Sequence, residues 1–164
     1  GKTFPQKFAY FLYSFGIWDI VYYIALKIFL NWPVSLFTWD ILFLIPIVWV
    51  GPVIAPIICS VTMIVLATVL ISSSEKNFQF RINGIDWTLI LVGAFLIFLS
   101  FIWEYGRVIL LGNISFGELL HIEDFSSLQL RLTILPISFQ WSIYLIGELL
   151  IIGDIIKMVI QRRK

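Results

Sequence analysis

The sequence predicts an all-α, polytopic membrane helix bundle. Hydrophobic residue types make up 60% of the 164 residues and charged types 13%, and the mean hydropathy is +1.00. Soluble domains average about 45–50% apolar and about 25% charged residues. A water-soluble fold of this size would bury only about two-thirds of the surface that its unfolded chain exposes. We therefore expect lipid to be the solvent for much of this chain.

Four stretches reach the length of about 20 mainly apolar residues that a spanning helix needs. They cover residues 8–30, 52–71, 87–106 and 134–158 of one integral membrane domain, 1–164. Pro33 follows the first stretch and stops it, because Pro lacks the N–H that helix continuation needs. Asp86 precedes the third stretch and is the expected N-cap of that helix.

The apolar stretch 41–71 is too long for one span. A straight helix of this length would reach roughly 45 Å, against a hydrocarbon core of about 30 Å. The residues that divide it are Pro46, Gly51, Pro52 and Pro56. We predict a short, proline-broken interfacial helix over 39–45, opened by Thr38 or Asp40. The second span should begin at Pro52, since the first helical turn tolerates Pro.

The basic residues predict that both termini are cytoplasmic. In this orientation eight of them lie on the cytoplasmic side, namely Lys2, Lys7, Lys76, Arg81, Lys157, Arg162, Arg163 and Lys164. The opposite side carries Lys27, Arg107 and Arg131. This asymmetry follows the positive-inside rule, and an even number of spans places both termini on one side. We expect the inner or cell membrane of a bacterium or archaeon.

The outer segment 112–131 predicts an amphipathic helix with weak metal-site character. Glu118 and His121 are three residues apart and share a helix face, as in carboxylate-bridged metal sites. Glu123 and Asp124 are near them in the sequence. His121 is the only histidine and Cys59 the only cysteine, so the chain has too few nitrogen or sulfur ligands for a closed transition-metal site. We expect a solvated polar face, no bound metal and no cofactor.

Four acids fall within or near the predicted spans, where an ionised group costs about 2.5–3.5 kcal/mol. They are Asp19, Glu104, Glu148 and Asp154. Glu104 and Arg107 are three residues apart on one helix near the outer boundary, so they can pair. Asp154 lies close to Lys157 at the inner boundary, and the same interpretation applies there.

Asp19 and Glu148 have no basic neighbour in the sequence. Asp19 lies about 18 Å along its helix from Lys7, and Glu148 lies about 13 Å in from Lys157, so their depths are similar. If the first and last spans pack, the two carboxylates face each other, and at least one should be protonated near neutral pH. Such a pair could hold a proton, a cation or a polar group of a partner subunit. Alternatively, each acid is protonated and hydrogen-bonds Tyr, Ser or a backbone carbonyl.

Three functions remain open, and the first is favoured. The chain could be a non-catalytic accessory or structural subunit of a larger membrane complex, with other membrane subunits and the lipid bilayer as partners. It could be a small proton- or cation-coupled transporter or channel that uses Asp19 and Glu148, since interrupted helices such as 46–56 often line binding sites. It could be a membrane enzyme with an outer-face metal site. No nucleotide-binding or complete catalytic motif is present, and a net charge of +1 gives no reason to expect nucleic acid.

Overall fold

The structure, a computed structural model, describes residues 3–44, 47–75, 82–111 and 138–161. Its helices in this part of the chain are α1 (Phe4–Leu30), α2 (Ile54–Glu75), α3 (Gly84–Leu111) and α4 (Trp141–Gln161). Two strands, β1 (Trp39–Phe43) and β2 (Trp49–Pro52), lie between α1 and α2. The chain is mostly helical, as predicted.

Three of these helices are long and apolar enough to cross a membrane. They cover Phe4–Leu30, Ile54–Ser72 and Gly84–Arg107, and they agree with the first three predicted spans to within a few residues. Helix α4 carries Glu148, Asp154 and Lys157, so its composition alone does not mark it as a span. The chain therefore has the helices of a membrane protein.

Helix α1 begins four residues before the predicted start. The Thr3 backbone N–H bonds the Gln6 side-chain oxygen at 3.3 Å, and Pro5 occupies the first turn, where its missing N–H costs nothing. The helix stops where the sequence predicts. Asn31 adopts a left-handed conformation with φ 50°, and the Trp32 N–H reaches back to the Leu26 carbonyl at 3.4 Å, a common helix ending.

Within the segment predicted as a short helix over 39–45, residues Trp39–Phe43 instead form one strand of a β-hairpin. β1 pairs antiparallel with β2, with Trp39 opposite Pro52 and Ile41 opposite Val50. The helix prediction was wrong for a physical reason. So short a helix is poorly stable alone, whereas aromatic and branched residues fit a strand and the hairpin gives their backbone groups partners.

The break before the second span is confirmed, but its details differ from the prediction. Pro52 ends β2, and α2 begins only at Ile54. Pro56 occupies the first turn of α2, where backbone N–H groups have no helical partner to lose. The prediction that Pro52 lies in the first turn was wrong because that residue still pairs with Trp39.

Helix α3 begins at Gly84, and its N-cap is Asn83 rather than Asp86. The Asn83 N–H bonds the Asp86 carboxylate at 2.7 Å, and the Asp86 N–H bonds the Asn83 side-chain oxygen at 2.9 Å. This is a reciprocal capping box, in which the acid three residues into the helix supports the cap. Asp86, which was predicted as the N-cap, is therefore the residue that supports the true N-cap, Asn83.

The helices pack in the order α1, α2, α4, α3. Rings of Phe4 and Phe8 contact the Trp87 ring at 5.7 and 5.4 Å between centroids, which brings the first turns of α1 and α3 to one end of the bundle. We call this the terminal end. The hairpin lies at the other end, because Phe43 contacts Phe15 at 6.3 Å and Trp49 contacts Phe98 at 4.9 Å.

Candidate functional site: a cleft between α1 and α3

A cleft of about 440 Å³ lies between α1 and α3. Helix α1 packs along α2 and helix α3 packs along α4, so the two outer helices form walls. Side chains of α2 and α4, together with Asp19 of α1, form the floor. The aromatic contacts at the hairpin and at the terminal end bound the cleft along its length. Small-molecule sites commonly have volumes of about 300–1,000 Å³.

The walls of the cleft are apolar and rich in aromatic rings. Seven of its lining residues are Phe or Trp, drawn from α1, the hairpin and α3. Polar side chains occur on the floor, namely Asp19, Cys59, Ser60, Thr62 and Glu148. An apolar chamber with a few polar groups on one surface is typical of a ligand site.

Asp19 is held against α2 by one short hydrogen bond. The Ser60 hydroxyl donates to Asp19 Oδ2 at 2.7 Å, and the pair is buried. Gly16, one turn earlier on α1, makes this approach possible. A Cβ at Gly16 would lie 2.8 Å from the Ser60 carbonyl oxygen, so a larger residue would force the helices apart. Gly16 therefore permits the close approach of α1 and α2 at which Ser60 reaches Asp19.

Glu148 is held from two sides. Thr62 of α2 donates to Glu148 Oε2 at 2.8 Å, and the Tyr144 hydroxyl, one turn earlier on α4, lies 3.2 Å from Oε1. The same hydroxyl is 2.9 Å from the Ala55 carbonyl oxygen and 3.5 Å from the Cys59 sulfur. Tyr144 and Glu148 are 0% and 3% exposed, so both side chains are buried.

Asp19 and Glu148 each accept a hydrogen bond from a hydroxyl group of helix α2. Ser60 and Thr62 are two residues apart, which separates them by only about 3 Å along the helix but turns them about 200° around it. Asp19 and Glu148 thus lie at similar depth on different sides of α2. Both border the same cleft. The structure brings the two acids to one chamber and gives each its own hydroxyl partner.

Glu104 and Arg107 form the expected ion pair within α3. Arg107 Nη1 donates to both Glu104 carboxylate oxygens, at 3.0 and 3.1 Å. The Glu104 side chain is largely buried and Arg107 is partly exposed. Neither residue lines the cleft among the described residues, so this pair is separate from the two floor acids.

Lys157 has one partner that the sequence predicts and one that it missed. Its amine bonds Asp154 at 3.3 Å, as expected from their spacing, and it also bonds Asp86 at the start of α3. Asp86 is 71 residues away in sequence. The predicted topology contains a signal for the contact with Asp86, because it places the start of the third span and the end of the fourth on the same side of the membrane.

The hairpin is tied to α1 beside the cleft. Tyr23 donates to Asp40 Oδ2 at 2.9 Å, and a second cavity of about 150 Å³ lies between them and Asp19. Sequence reasoning missed this contact because it placed Asp40 as a possible helix cap.

Within the described residues no group of three or more His, Cys, Asp or Glu could hold a metal.

The metal candidates of the outer segment, Glu118, His121, Glu123 and Asp124, lie outside the described residues. The predicted amphipathic helix over 112–131 lies there too. Both stay predictions.

Comparisons with protein-family models, with curated proteins and with solved structures each find no match to this chain.

Proposed function

We propose that the chain is a four-span membrane protein, with α4 as the fourth span. The ionisable groups of α4 all have partners inside the bundle: Glu148 is hydrogen-bonded by Thr62 and Tyr144, and Asp154 pairs with Lys157. Pairing offsets much of the cost of placing such groups in hydrocarbon. Helix α4 also follows α3 along its length, from the Tyr144–Phe101 ring contact to the ion pair of Lys157.

The terminal end is proposed to face the cytoplasm and the hairpin the opposite side. The alternating helix directions and the basic residues near both termini support this orientation. Single cysteines at Thr3 and Phe37, in a Cys59→Ser background, would test it in right-side-out vesicles. An impermeant maleimide should label position 37 directly and position 3 only after permeabilisation. The reverse pattern would refute the orientation.

The protein's function is proposed to be the passage of a proton or cation through the cleft, as in a small transporter or channel. The observation that carries this proposal is that both intramembrane acids, Asp19 and Glu148, line one chamber. Their partners suit a group that gains and loses a proton or cation, because the hydroxyls of Ser60 and Thr62 can donate to a carboxylate or accept from a carboxylic acid.

Flux in proteoliposomes tests the proposal. We expect the parent protein to carry H⁺ or Na⁺ under an imposed membrane potential, followed with an internal pH-sensitive dye and with radioactive sodium. Asp19→Asn and Glu148→Gln should each lower the flux at least tenfold, since an amide cannot titrate. Glu104→Gln is the matched control, because this acid lies outside the cleft. Parental flux in the double amide variant, or no flux of either ion in the parent, would refute transport.

The accessory-subunit function is a second candidate, favoured by one observation. Helix α1 carries several exposed aromatic side chains, among them Tyr10, Tyr13, Trp18 and Tyr22, which are between 43% and 53% exposed. Aromatic residues are enriched in protein interfaces. Native-gel migration after extraction in mild detergent discriminates the two candidates. One large stable assembly would support the subunit function, and a monomer or homodimer would contradict it.

A further inference from the structure

We propose that the cleft binds a lipophilic organic cation, a molecule with an apolar or aromatic body and one positive charge. This inference rests on the proposed function, since it uses the same two acids, and it names the class of ligand. Three observations carry it: the sign of the charge on the floor, the aromatic walls, and the direction in which the cleft opens.

The floor can become negative but not positive. Among the described residues that line the cleft, Asp19 and Glu148 are the ones of charged type, while the basic side chain of Lys157 is engaged with Asp86 and Asp154. A buried carboxylate needs a positive partner to stay ionised, and the lining supplies none. A bound cation supplies that partner, whereas an anion would be repelled.

The walls suit a delocalised or quaternary cation. Phe11 and Phe15 of α1, Phe43 and Trp49 of the hairpin and Phe98 of α3 all line the cleft. Ring faces attract cations, and they do so more strongly where water is excluded. The rest of the wall is aliphatic, so the charged centre should lie near the floor and the apolar body of the ligand against the rings.

The cleft opens sideways, towards the bilayer. Aromatic contacts close it at the terminal end and at the hairpin, while α1 and α3 do not pack along their length in the described part of the chain. Phe11, at the mouth, is 61% exposed, and the floor acids Asp19 and Glu148 are 9% and 3% exposed. An organic ligand that enters this way dissolves in the membrane first, so we expect it to be lipophilic.

Two ions of the same shape and opposite charge test the proposal. Equilibrium dialysis of the purified full chain in mild detergent would measure binding of tetraphenylphosphonium and of tetraphenylborate. We expect saturable binding of one tetraphenylphosphonium per chain and at least tenfold weaker binding of tetraphenylborate. Asp19→Asn and Glu148→Gln should each weaken tetraphenylphosphonium binding at least tenfold, and Glu104→Gln should change it less than twofold.

A variant that keeps both acids distinguishes loss of the binding site from loss of folding. Ala94 lines the cleft on α3, so Ala94→Phe should fill it and lower the affinity at least tenfold. Val92→Phe, on an exposed position of the same helix outside the cleft, is the matched control. Equal binding of both ions, or unchanged binding in the two amide variants and in Ala94→Phe, would refute the proposal.

Failure of this inference and failure of the proposed function give different results. Acid-dependent H⁺ or Na⁺ flux without tetraphenylphosphonium binding would refute the ligand class and leave transport standing. Acid-dependent binding of tetraphenylphosphonium without any flux would support the ligand class and refute transport.

Discussion

Replacing Gly147 by alanine should loosen the contact between α3 and α4. A Cβ at Gly147 would lie 2.7 Å from the Gly93 carbonyl oxygen and 3.1 Å from the Ile97 backbone nitrogen. Both are backbone atoms, so no change of rotamer can relieve the overlap. The helices would have to part by about 0.7 Å to restore an ordinary contact, which close-packed interiors resist.

The expected loss follows from two opposing terms. Overpacking of this kind typically costs 1–3 kcal/mol, and alanine gains about 0.5–1 kcal/mol over glycine in helix propensity. Gly147→Ala should therefore lower the free energy of unfolding by about 1 kcal/mol, within a range of roughly 0–2.5 kcal/mol. Small residues at helix contacts are the usual means of close approach in membranes, and here two glycines face each other.

The assay is reversible unfolding in mixed micelles titrated with sodium dodecyl sulfate and followed by circular dichroism. Gly153→Ala is the matched control on the same helix, because a Cβ there meets nothing within 4 Å. The control should equal the parent or exceed it by up to about 1 kcal/mol. Equal stability of Gly147→Ala and Gly153→Ala would refute the close contact of α3 and α4.

Three further substitutions test side-chain contacts with the same titration. Tyr144→Phe should lower the free energy of unfolding by about 1–3 kcal/mol, because buried acceptors lose their donor; parental stability would contradict the hydrogen bonds. Lys157→Met should lower the free energy of unfolding by leaving Asp86 without its cation, and by more than Lys27→Met does. Tyr23→Phe should cost about 1 kcal/mol and speed hydrogen exchange in β1, since Asp40 loses its tie to α1; unchanged exchange would contradict that tie.

The membrane helices could be predicted because the bilayer imposes a strong signal. A span needs about 20 apolar residues, and this requirement alone located α1, α2 and α3. The errors lie at the ends. Helix α1 starts at Phe4 rather than residue 8 and α3 at Gly84 rather than 87, since capping side chains extend a helix beyond its apolar core.

The hairpin and the floor of the cleft could not be predicted, because their partners are distant in sequence. The seven residues 39–45 are apolar except for Asp40, and so short a run fits a strand or a helix equally well by periodicity. The strand forms because Trp39–Phe43 pairs with β2. Asp19 and Glu148 stood out because acids are rare in spans. Ser60 and Thr62 did not, since small hydroxyl residues are ordinary in such helices, and their role depends on which faces of α2 meet α1 and α4.

The cleft exists because the helices approach closely in some places and not in others. Gly16 lets α1 come against α2 at Ser60, and the facing pair Gly93 and Gly147 lets α3 come against α4. Each close contact lies one turn or less from a floor acid or directly across from one. The Gly16 contact, which brings the Ser60 hydroxyl to Asp19, draws α1 onto α2, whereas the contact of Gly93 with Gly147 draws α3 onto α4. The space left between these two helices is bridged at its ends by rings, so the acids face a chamber rather than a packed core.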